Sequence, residues 1–258
     1  MRVAPTPVPD EGTVLGRSVR LLGAFRAGDD SLTLAEIHRR TGVPKPTAHR
    51  LLLQLAGWGV VERGPAGYRL GLRLFELGQL ASGPRDLRDA ASPILTRLHD
   101  VTGMTVHLAV LDAIEVIYLH KIDASGAPPL ASSIGGRMPA HCTAVGKALL
   151  AHAPVVATHA VLDAGLRRVT PRTIEAPSLF LDQLRAARRR GYATDQEESA
   201  VGVGCLAAPV FDPDRRVVAA VSVTGRAHAI RSVGVGAVRA AAAEVSRVLD
   251  RPALPDTA

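Results

Sequence analysis

LTLAEIHRRTGVPKPTAHRLLLQLAGWGVVERGPAGYRLG, residues 32–71, is the stretch that decides the fold of the N-terminal part of the chain. Its first part has Thr33 in a favoured N-cap position, Glu36 three residues later as a capping-box partner, and Gly42 as a stop. These features predict a short helix. Upstream, VLGRSVRLLGAF (14–25) has apolar residues close to helical spacing and predicts another helix.

The segment after Gly42 predicts a third helix. Pro46 is tolerated only in the first turn of a helix, so this helix begins near Lys45 and ends near Gly57 or Gly59. VVERGPAGYRLG then predicts two short strands around a Gly-Pro-Ala-Gly turn. Short helices joined by a tight turn and followed by a β-hairpin indicate a winged helix-turn-helix.

The third helix carries the candidate DNA-reading residues, because in this arrangement its first turns enter the major groove. The polar and basic side chains there are Lys45, Thr47, His49 and Arg50. Residues 1–85 carry 12 Lys and Arg against 7 Asp and Glu, whereas residues 86–258 carry 19 against 17, so most of the positive excess lies in the smaller part. Since only 3% of residues are aromatic, binding of unpaired bases is disfavoured. We predict duplex DNA as a partner; the alternative is a small helical protein-binding domain.

The composition excludes other classes of protein. The N-terminal MRVAPTPVPDEG has no apolar core of the signal-peptide kind, and no run of eighteen apolar residues occurs, so we expect a cytoplasmic protein without a membrane partner. Cys142 and Cys205 are the two cysteines and do not form a CxxC motif. We predict no disulfide framework, no metal site, no cofactor and no catalytic residue.

GLRLFELGQLAS (71–82) predicts a connecting helix, whose apolar residues suggest pairing between subunits. The polar SGPRD (82–86) is interpreted as a break before the next helix. We therefore predict a winged helix-turn-helix domain over 12–70, a linker helix over 71–86 and a second domain over 87–252.

The second domain has an α+β pattern. MTVHLAVL and IEVIYLHKI alternate as strands, and GCLAAPVFD and RVVAAVSVTG predict a hairpin across DPDR. CTAVGKALLAH, PSLFLDQLRAARRRG and SVGVGAVRAAAAEVSRVLD are typical of helices. Helices that bracket an antiparallel sheet indicate a GAF-like α/β domain that binds a small-molecule effector.

GGRMPAHCTAVGKALL (135–150) concentrates reactive residue types. It is not a phosphate loop, because Ala148 follows the Gly-Lys pair where a hydroxyl is needed and His141 occupies the place of the first glycine. A catalytic pair of His141 and Cys142 is disfavoured, since adjacent side chains point in different directions. His141 is interpreted as a structural hydrogen-bonding residue.

Four segments together resemble the IclR family of bacterial transcriptional regulators: SVRLLGAF, LTLAEIHRRTGVPKPTAHRLLLQLAGWGVVER, GGRMPAHCTAVGKALLA and DQEESAVGVGCLAAPVFDPDRRVVAAVSVTG. The similarity runs from about residue 12 to 250 and joins both domains in the family order. It implies a linker helix that dimerises the DNA-binding domains, an effector-binding C-terminal domain, and assembly as dimers or dimers of dimers.

The resemblance also implies an effector site. The two amides that would hold the carboxylate of a small acid are those of Ala144 and Val145, at a helix start that suits an anion. The other polar positions of the family site fall on Asp195, Cys205, Ser222 and Thr224, and its apolar wall positions on Leu130, Met138 and Val203. Ala144 stands where the family often has Gly, and its methyl group narrows the site.

The residues alone leave alternatives open. Cys205 is also compatible with a small buried apolar residue, Ser222 and Thr224 with ordinary strand residues, and Asp195 with an exposed turn. The leading hypothesis is a ligand-responsive DNA-binding transcriptional regulator. The alternatives are an enzyme with Cys142 or Cys205 as nucleophile, and a DNA-binding protein without ligand response. The identity of the effector, the operator, and the choice between repression and activation do not follow from the sequence.

Overall fold

A computed structural model of the chain describes residues 12–26, 28–230 and 234–250. The chain divides into two compact units between Ser82 and Gly83. The elements of the first unit are α1 (Val14–Leu22), α2 (Leu34–Thr41), α3 (Lys45–Gly57), β1 (Val61–Gly64), β2 (Gly67–Leu70) and α4 (Leu72–Gln79). This order confirms the predicted winged helix-turn-helix.

The start and end of α2 follow from its capping residues. The Thr33 Oγ1 accepts a hydrogen bond from the Glu36 amide at 3.2 Å, and Gly42 ends the helix in the left-handed conformation with φ of 68°. The second half of the predicted capping box is wrong. The Glu36 carboxylate accepts hydrogen bonds from Arg39 and Arg40 instead, because these guanidinium groups lie one turn further along the same helix.

Arg40 ties the helix-turn-helix to the segment before it. Its guanidinium donates to the Ala24 carbonyl at 3.0 Å and forms an ion pair with Asp29, while its Nε donates to Glu36 at 2.8 Å. The apolar sides of the three helices meet in a common core that includes Leu21, Ile37, Val43, Ala48, Leu51 and Leu52. Because α2 and α3 both pack on this core, the start of α3 is held in a fixed orientation.

The β-hairpin is joined by a third extended segment. Leu32 and Tyr68 exchange two backbone hydrogen bonds, each 2.8 Å long. Gly67, next to this bridge, has φ of +128°, and a Cβ there would lie 2.3 Å from the Leu32 carbonyl oxygen. Gly67 is therefore required both by its backbone conformation and by the close approach of the neighbouring segment.

The predicted break at SGPRD is wrong. The interruption falls at Leu80 and Ala81, and the next helix, α5, already begins at Ser82. Pro84 lies in the first turn of α5, where the missing amide hydrogen costs no intrahelical bond. The predicted domain limits 12–70, 71–86 and 87–252 stay a prediction.

The second unit has a six-stranded antiparallel sheet. Its elements are α5 (Ser82–Thr102), β3 (Thr105–Asp112), β4 (Glu115–Ile122), β5 (Arg137–Pro139), α6 (Ala144–Leu150), α7 (Val155–Asp163), α8 (Pro177–Arg190), β6 (Ala193–Gln196), β7 (Val203–Phe211), β8 (Val217–Arg226), α9 (Ala227–Ile230) and α10 (Val235–Leu249). The strand order is β5-β4-β3-β8-β7-β6. The predicted hairpins and long helices are confirmed, and α7, α9, β5 and β6 are additions that the sequence patterns did not indicate.

Helices cover both faces of this sheet. One apolar core joins α5 and α10 to one face, and a second core joins α6, α7 and α8 to the other. Side chains of β8 alternate between them: Val221 and Val223 contact the α5–α10 core, so Ser222 and Thr224 face the α6 side. In the ranges that the structure describes, no helix is long and apolar enough to cross a membrane.

We expect Gly67→Ala to destabilise the protein by roughly 1–3 kcal/mol or more, because the added Cβ meets a backbone oxygen and the left-handed region is strained for Ala. Gly64→Ala is the matched control, since a Cβ at Gly64 meets no heavy atom of the described residues within 4 Å. Urea unfolding of the full chain, followed by circular dichroism, measures both. Equal stabilities of the two variants would contradict the steric argument.

Candidate functional site

The first turns of α3 present the four predicted DNA-reading residues. Lys45 and Arg50 are exposed, and Thr47 and His49 are half-buried. The opposite side of the helix is buried through Ala48, Leu51 and Leu52. Within the described part of the chain, neither Lys45 nor Arg50 takes part in an ion pair, so both cationic groups are available to an anionic partner.

The second unit has a partly open cavity of about 30 Å³ on the α6 side of the sheet. All nine residues that the resemblance assigned to the effector site line it: Leu130, Met138, Ala144, Val145, Asp195, Val203, Cys205, Ser222 and Thr224. Seven further residues complete the lining: His107, Tyr118, Ala131, Ser132, Thr143, Ser199 and Ala200. Residues far apart in sequence therefore meet around a nearly filled, mixed polar and apolar pocket.

The start of α6 leaves two backbone amides without a helical partner. Thr143 is the N-cap, and its Oγ1 accepts from the Gly146 amide at 3.2 Å. Its carbonyl oxygen accepts from the Lys147 amide at 3.0 Å. The preceding amides, those of Ala144 and Val145, have no helical carbonyl one turn earlier to bind, and both residues line the cavity.

The Gly-Lys pair of α6 serves packing and charge compensation. A Cβ at Gly146 would lie 2.1 Å from the carbonyl oxygen of Ala140, so the glycine lets the 3₁₀ turn Ala140–Cys142 pack closely on the helix. The fully buried Lys147 Nζ lies 2.6 Å from the Glu198 Oε1 and 3.2 Å from the Gln183 Oε1. The sequence pattern points to Lys147 only as a phosphate-loop lysine, and its place in a buried ion pair is not visible in that pattern.

Asp195 is buried rather than an exposed turn residue. It lies on β6 with 1% of its surface exposed. Its carboxylate accepts hydrogen bonds from the Glu198 amide at 2.7 Å and from the Ser199 side chain. Burial raises the pKa of Asp195 to about 6 in spite of these hydrogen bonds. The carboxyl group therefore changes charge near neutral pH.

His107 is the main pocket residue that sequence reasoning missed. It lies on β3 opposite Ser222 on β8, and its Nε2 is 2.9 Å from the Ser132 Oγ. Its Nδ1 faces Ser222 and Thr224, and its ring centroid is 5.0 Å from that of Tyr118. Burial, and secondly the charge of Lys121, lower the pKa of His107 to about 3, so the ring is neutral. The alternation of side chains along β3 places His107 on an inward face, and this signal was available in the sequence. Its hydrogen-bond partners depend on the register between β3 and β8, which the sequence does not show.

Neither cysteine is arranged as a nucleophile. Cys142 is completely buried, and burial raises the pKa of its thiol to about 12. Burial also raises the pKa of the Cys205 thiol, whose sulfur accepts a hydrogen bond from the Thr224 Oγ1 at 3.1 Å. The His141 Nε2 lies 3.0 Å from the Arg167 carbonyl oxygen, which confirms its structural role. The described residues contain no cluster of three or more His, Cys, Asp or Glu side chains that is able to hold a metal ion.

Comparison with known proteins connects both units to one family. The family described as "Bacterial transcriptional regulator IclR C-terminal" matches residues 80–249, and the "IclR helix-turn-helix domain" matches residues 14–65. The chain is 36% identical over 211 residues to the HTH-type transcriptional regulator XynR of Escherichia coli (strain K12), an alignment that covers 81% of this chain and 84% of that protein. It is 33% identical over 228 residues to the Transcriptional repressor IclR of the same organism, with coverage of 86% and 83%.

A solved structure has the same architecture. The crystal structure of an IclR homolog complexed with 4-hydroxybenzoate from Microbacterium hydrocarbonoxydans matches with a TM-score of 0.83 at 31% identity, over 92% of this chain and 99% of that chain. These relatives are regulators rather than enzymes, in agreement with the neutral, buried thiols. The winged helix-turn-helix, the six-stranded effector domain and these matches together show that the chain belongs to the IclR family of transcriptional regulators.

Proposed function

We propose that this regulator is a cytoplasmic, ligand-responsive repressor: α3 binds an operator in duplex DNA, and a small carboxylate in the cavity of the second unit changes the affinity for that operator. The observation that carries the proposal is that one cavity is lined by the first two residues of α6, whose amides have no helical partner, together with Asp195, Cys205 and Ser222. The names of the repressor relative and of the 4-hydroxybenzoate complex support the direction of regulation and the carboxylate class.

In this proposal the amides of Ala144 and Val145 hold the carboxylate, since the first amides of a helix are unpaired donors at the positive end of its dipole. Asp195, Cys205, Ser222 and Thr224 bind the remaining polar atoms. Leu130, Met138 and Val203 contact the carbon skeleton. One water needs about 10–15 Å³, so a cavity of about 30 Å³ admits an organic acid only when its wall moves. A ligand that binds the conformation with the opened wall more tightly than the closed one shifts the protein toward the open conformation. This difference in affinity is what coupling between effector binding and DNA binding requires.

We propose a homodimer or a dimer of dimers that binds an inverted-repeat operator. Among the residues that the structure describes, α4 has no buried member, and Leu72, Phe75 and Leu80 are 66%, 63% and 76% exposed. An exposed apolar helix of this kind favours pairing with another subunit. Two α3 helices related by a dimer axis read half-sites about 10 bp apart, or a multiple of that distance.

Arg50→Ala tests the DNA-reading face. If Arg50 donates two hydrogen bonds to a guanine, we expect a loss of about 1–3 kcal/mol and relaxed preference at one base position. Mobility-shift titration with a duplex selected by the wild-type protein from a random library, and with unselected duplex, measures both effects. Arg189→Ala removes one exposed charge from the second unit and is the matched control. Equal weakening on both duplexes would identify a phosphate contact, and affinity insensitive to salt would refute DNA binding.

Three variants test the pocket. We expect Ala144→Leu to block the effector sterically, and Ser222→Ala to weaken the response at a cost on the order of 1 kcal/mol for the lost hydrogen bond, with operator binding unchanged in the absence of ligand. Cys142→Ala, outside the cavity lining, is expected to respond normally. The effector is chosen by a thermal-shift screen of small carboxylates, and the response is followed by mobility shift. Loss of response in Cys142→Ala alone would refute the pocket and favour a reactive thiol.

The raised pKa of Asp195 predicts a pH dependence. A bound carboxylate adds a further negative charge near Asp195, so it raises the pKa of Asp195 above the value of about 6 in the free protein. Binding then takes up a proton, and affinity for the acid should fall as the pH rises from roughly 5 to 7.5. Calorimetric titration across this range measures the trend, and Asp195→Asn is expected to remove it. Affinity that is constant or rises with pH in the wild type would contradict the placement of the anion.

A further inference from the structure

The charges around the cavity restrict the class of acid. The described residues that line it include no Lys or Arg, and Asp195 is the acidic residue among them. Two cations lie just behind the lining, and both are already paired. Lys147 forms an ion pair with Glu198, and Lys121, whose Nζ donates to the Ser132 carbonyl oxygen at 2.9 Å, forms one with Asp123. A ligand with two carboxylates would therefore bring a second negative charge that no lining side chain compensates and that Asp195 repels. This arrangement favours a monocarboxylate.

On the polar side of the cavity, the Nδ1 of His107 has only long hydrogen-bond contacts. The buried His107 ring is fixed through Nε2, which lies 2.9 Å from the Ser132 Oγ. Its Nδ1 lies 3.5 Å from the Ser222 Oγ and 3.4 Å from the Thr224 Oγ1, and the Thr224 hydroxyl donates its proton to Cys205. Hydrogen bonds between nitrogen and oxygen are typically about 2.9–3.0 Å long. The contacts of Nδ1 are therefore weak, and a ligand oxygen placed at normal distance would replace them.

A neutral imidazole offers one N–H donor and one acceptor nitrogen. With Ser132 on Nε2, the ring is able to donate from Nδ1 to a keto oxygen or to exchange a hydrogen bond with a hydroxyl group. It provides no positive charge for a carboxylate. Its chemistry thus complements an uncharged oxygen of the ligand and differs from that of the helix amides.

We propose that His107 is a specificity-determining residue of the cavity, which binds through Nδ1 the hydroxyl or keto oxygen of a short monocarboxylic acid, with Ser132 orienting the ring. This inference rests on the proposed function, in which the same cavity receives a carboxylate. An acid without a hydroxyl or keto oxygen would leave the Nδ1 of His107 buried with only its weak contacts. Buried polar groups left unpaired are the strongest source of discrimination between otherwise similar ligands.

The test is calorimetric titration of the full-length protein with propanoate, 2-hydroxypropanoate, 3-hydroxypropanoate, 2-oxopropanoate and butanedioate. In the wild type we expect at least one of the three hydroxy or keto acids to bind about tenfold more tightly than propanoate. We expect butanedioate to bind more weakly than this preferred hydroxy or keto acid. In His107→Leu, the ratio between the affinity for the preferred oxygen-bearing acid and the affinity for propanoate should fall to about one. His107→Gln, which keeps a donor and an acceptor, should retain a preference. Cys142→Ala is the control for a buried substitution outside the lining, and circular dichroism checks that each variant is folded.

The outcomes separate this inference from the proposed function. If the wild type binds none of these acids, the short monocarboxylic acid proposed here is refuted, and the wider carboxylate screen described above decides whether the carboxylate site stands. If it binds propanoate as tightly as the oxygen-bearing acids, or if His107→Leu keeps the wild-type ratio, the role of His107 is refuted while the carboxylate site stands. Tightest binding of butanedioate would overturn the charge argument.

Discussion

The buried ion pair between Lys147 and Glu198 is the contact on which the architecture of the cavity depends. The two charged atoms are 2.6 Å apart, and their side chains are 1% and 6% exposed. A charge buried to this degree is tolerated only with its partner in place, because removing one partner leaves an uncompensated ion. The pair therefore fixes the position of α6 relative to the segment that follows β6. The amides of Ala144 and Val145 belong to α6, Ser199 belongs to the segment after β6, and Asp195 lies at the end of β6 and is hydrogen-bonded to that segment.

Hydrogen bonds around Glu198 extend this constraint. Its amide donates to Asp195 at 2.7 Å, and its carbonyl oxygen accepts from the Thr173 Oγ1 at 2.8 Å and from the Thr170 Oγ1 at 3.3 Å. The Glu198 Oε2 is buried without a hydrogen-bond partner among the residues described. Most polar groups of this segment thus already have hydrogen-bond partners within the protein. The Nδ1 of His107, in contrast, has only long hydrogen-bond contacts. The contrast distinguishes the scaffold of the pocket from the group that we assign to ligand recognition.

Local sequence patterns predicted the elements, and failed where a contact depends on distant residues. Pro46 and Gly42 located the helix-turn-helix because their effects act within one turn of the chain. The period of two placed Ser222 and Thr224 on one face of β8. His107 was missed because its partners Ser222 and Thr224 are 115 and 117 residues away, and strand register is not visible in either strand alone. SGPRD was misread as a break because the same Gly and Pro that typify loops are also accepted in a first helical turn.

The neutral thiols have a consequence for the chemistry that the second unit tolerates. Thiolates, but not thiols, add readily to electrophilic carbonyl groups and are the form that oxidants attack. Burial keeps both Cys142 and Cys205 protonated, and Cys205 lines the cavity itself. A ligand that binds in this cavity would therefore meet a protonated sulfur, which does not add readily to a carbonyl group. The proposed response to a carboxylate would thereby stay reversible, because no covalent bond forms between the ligand and the protein.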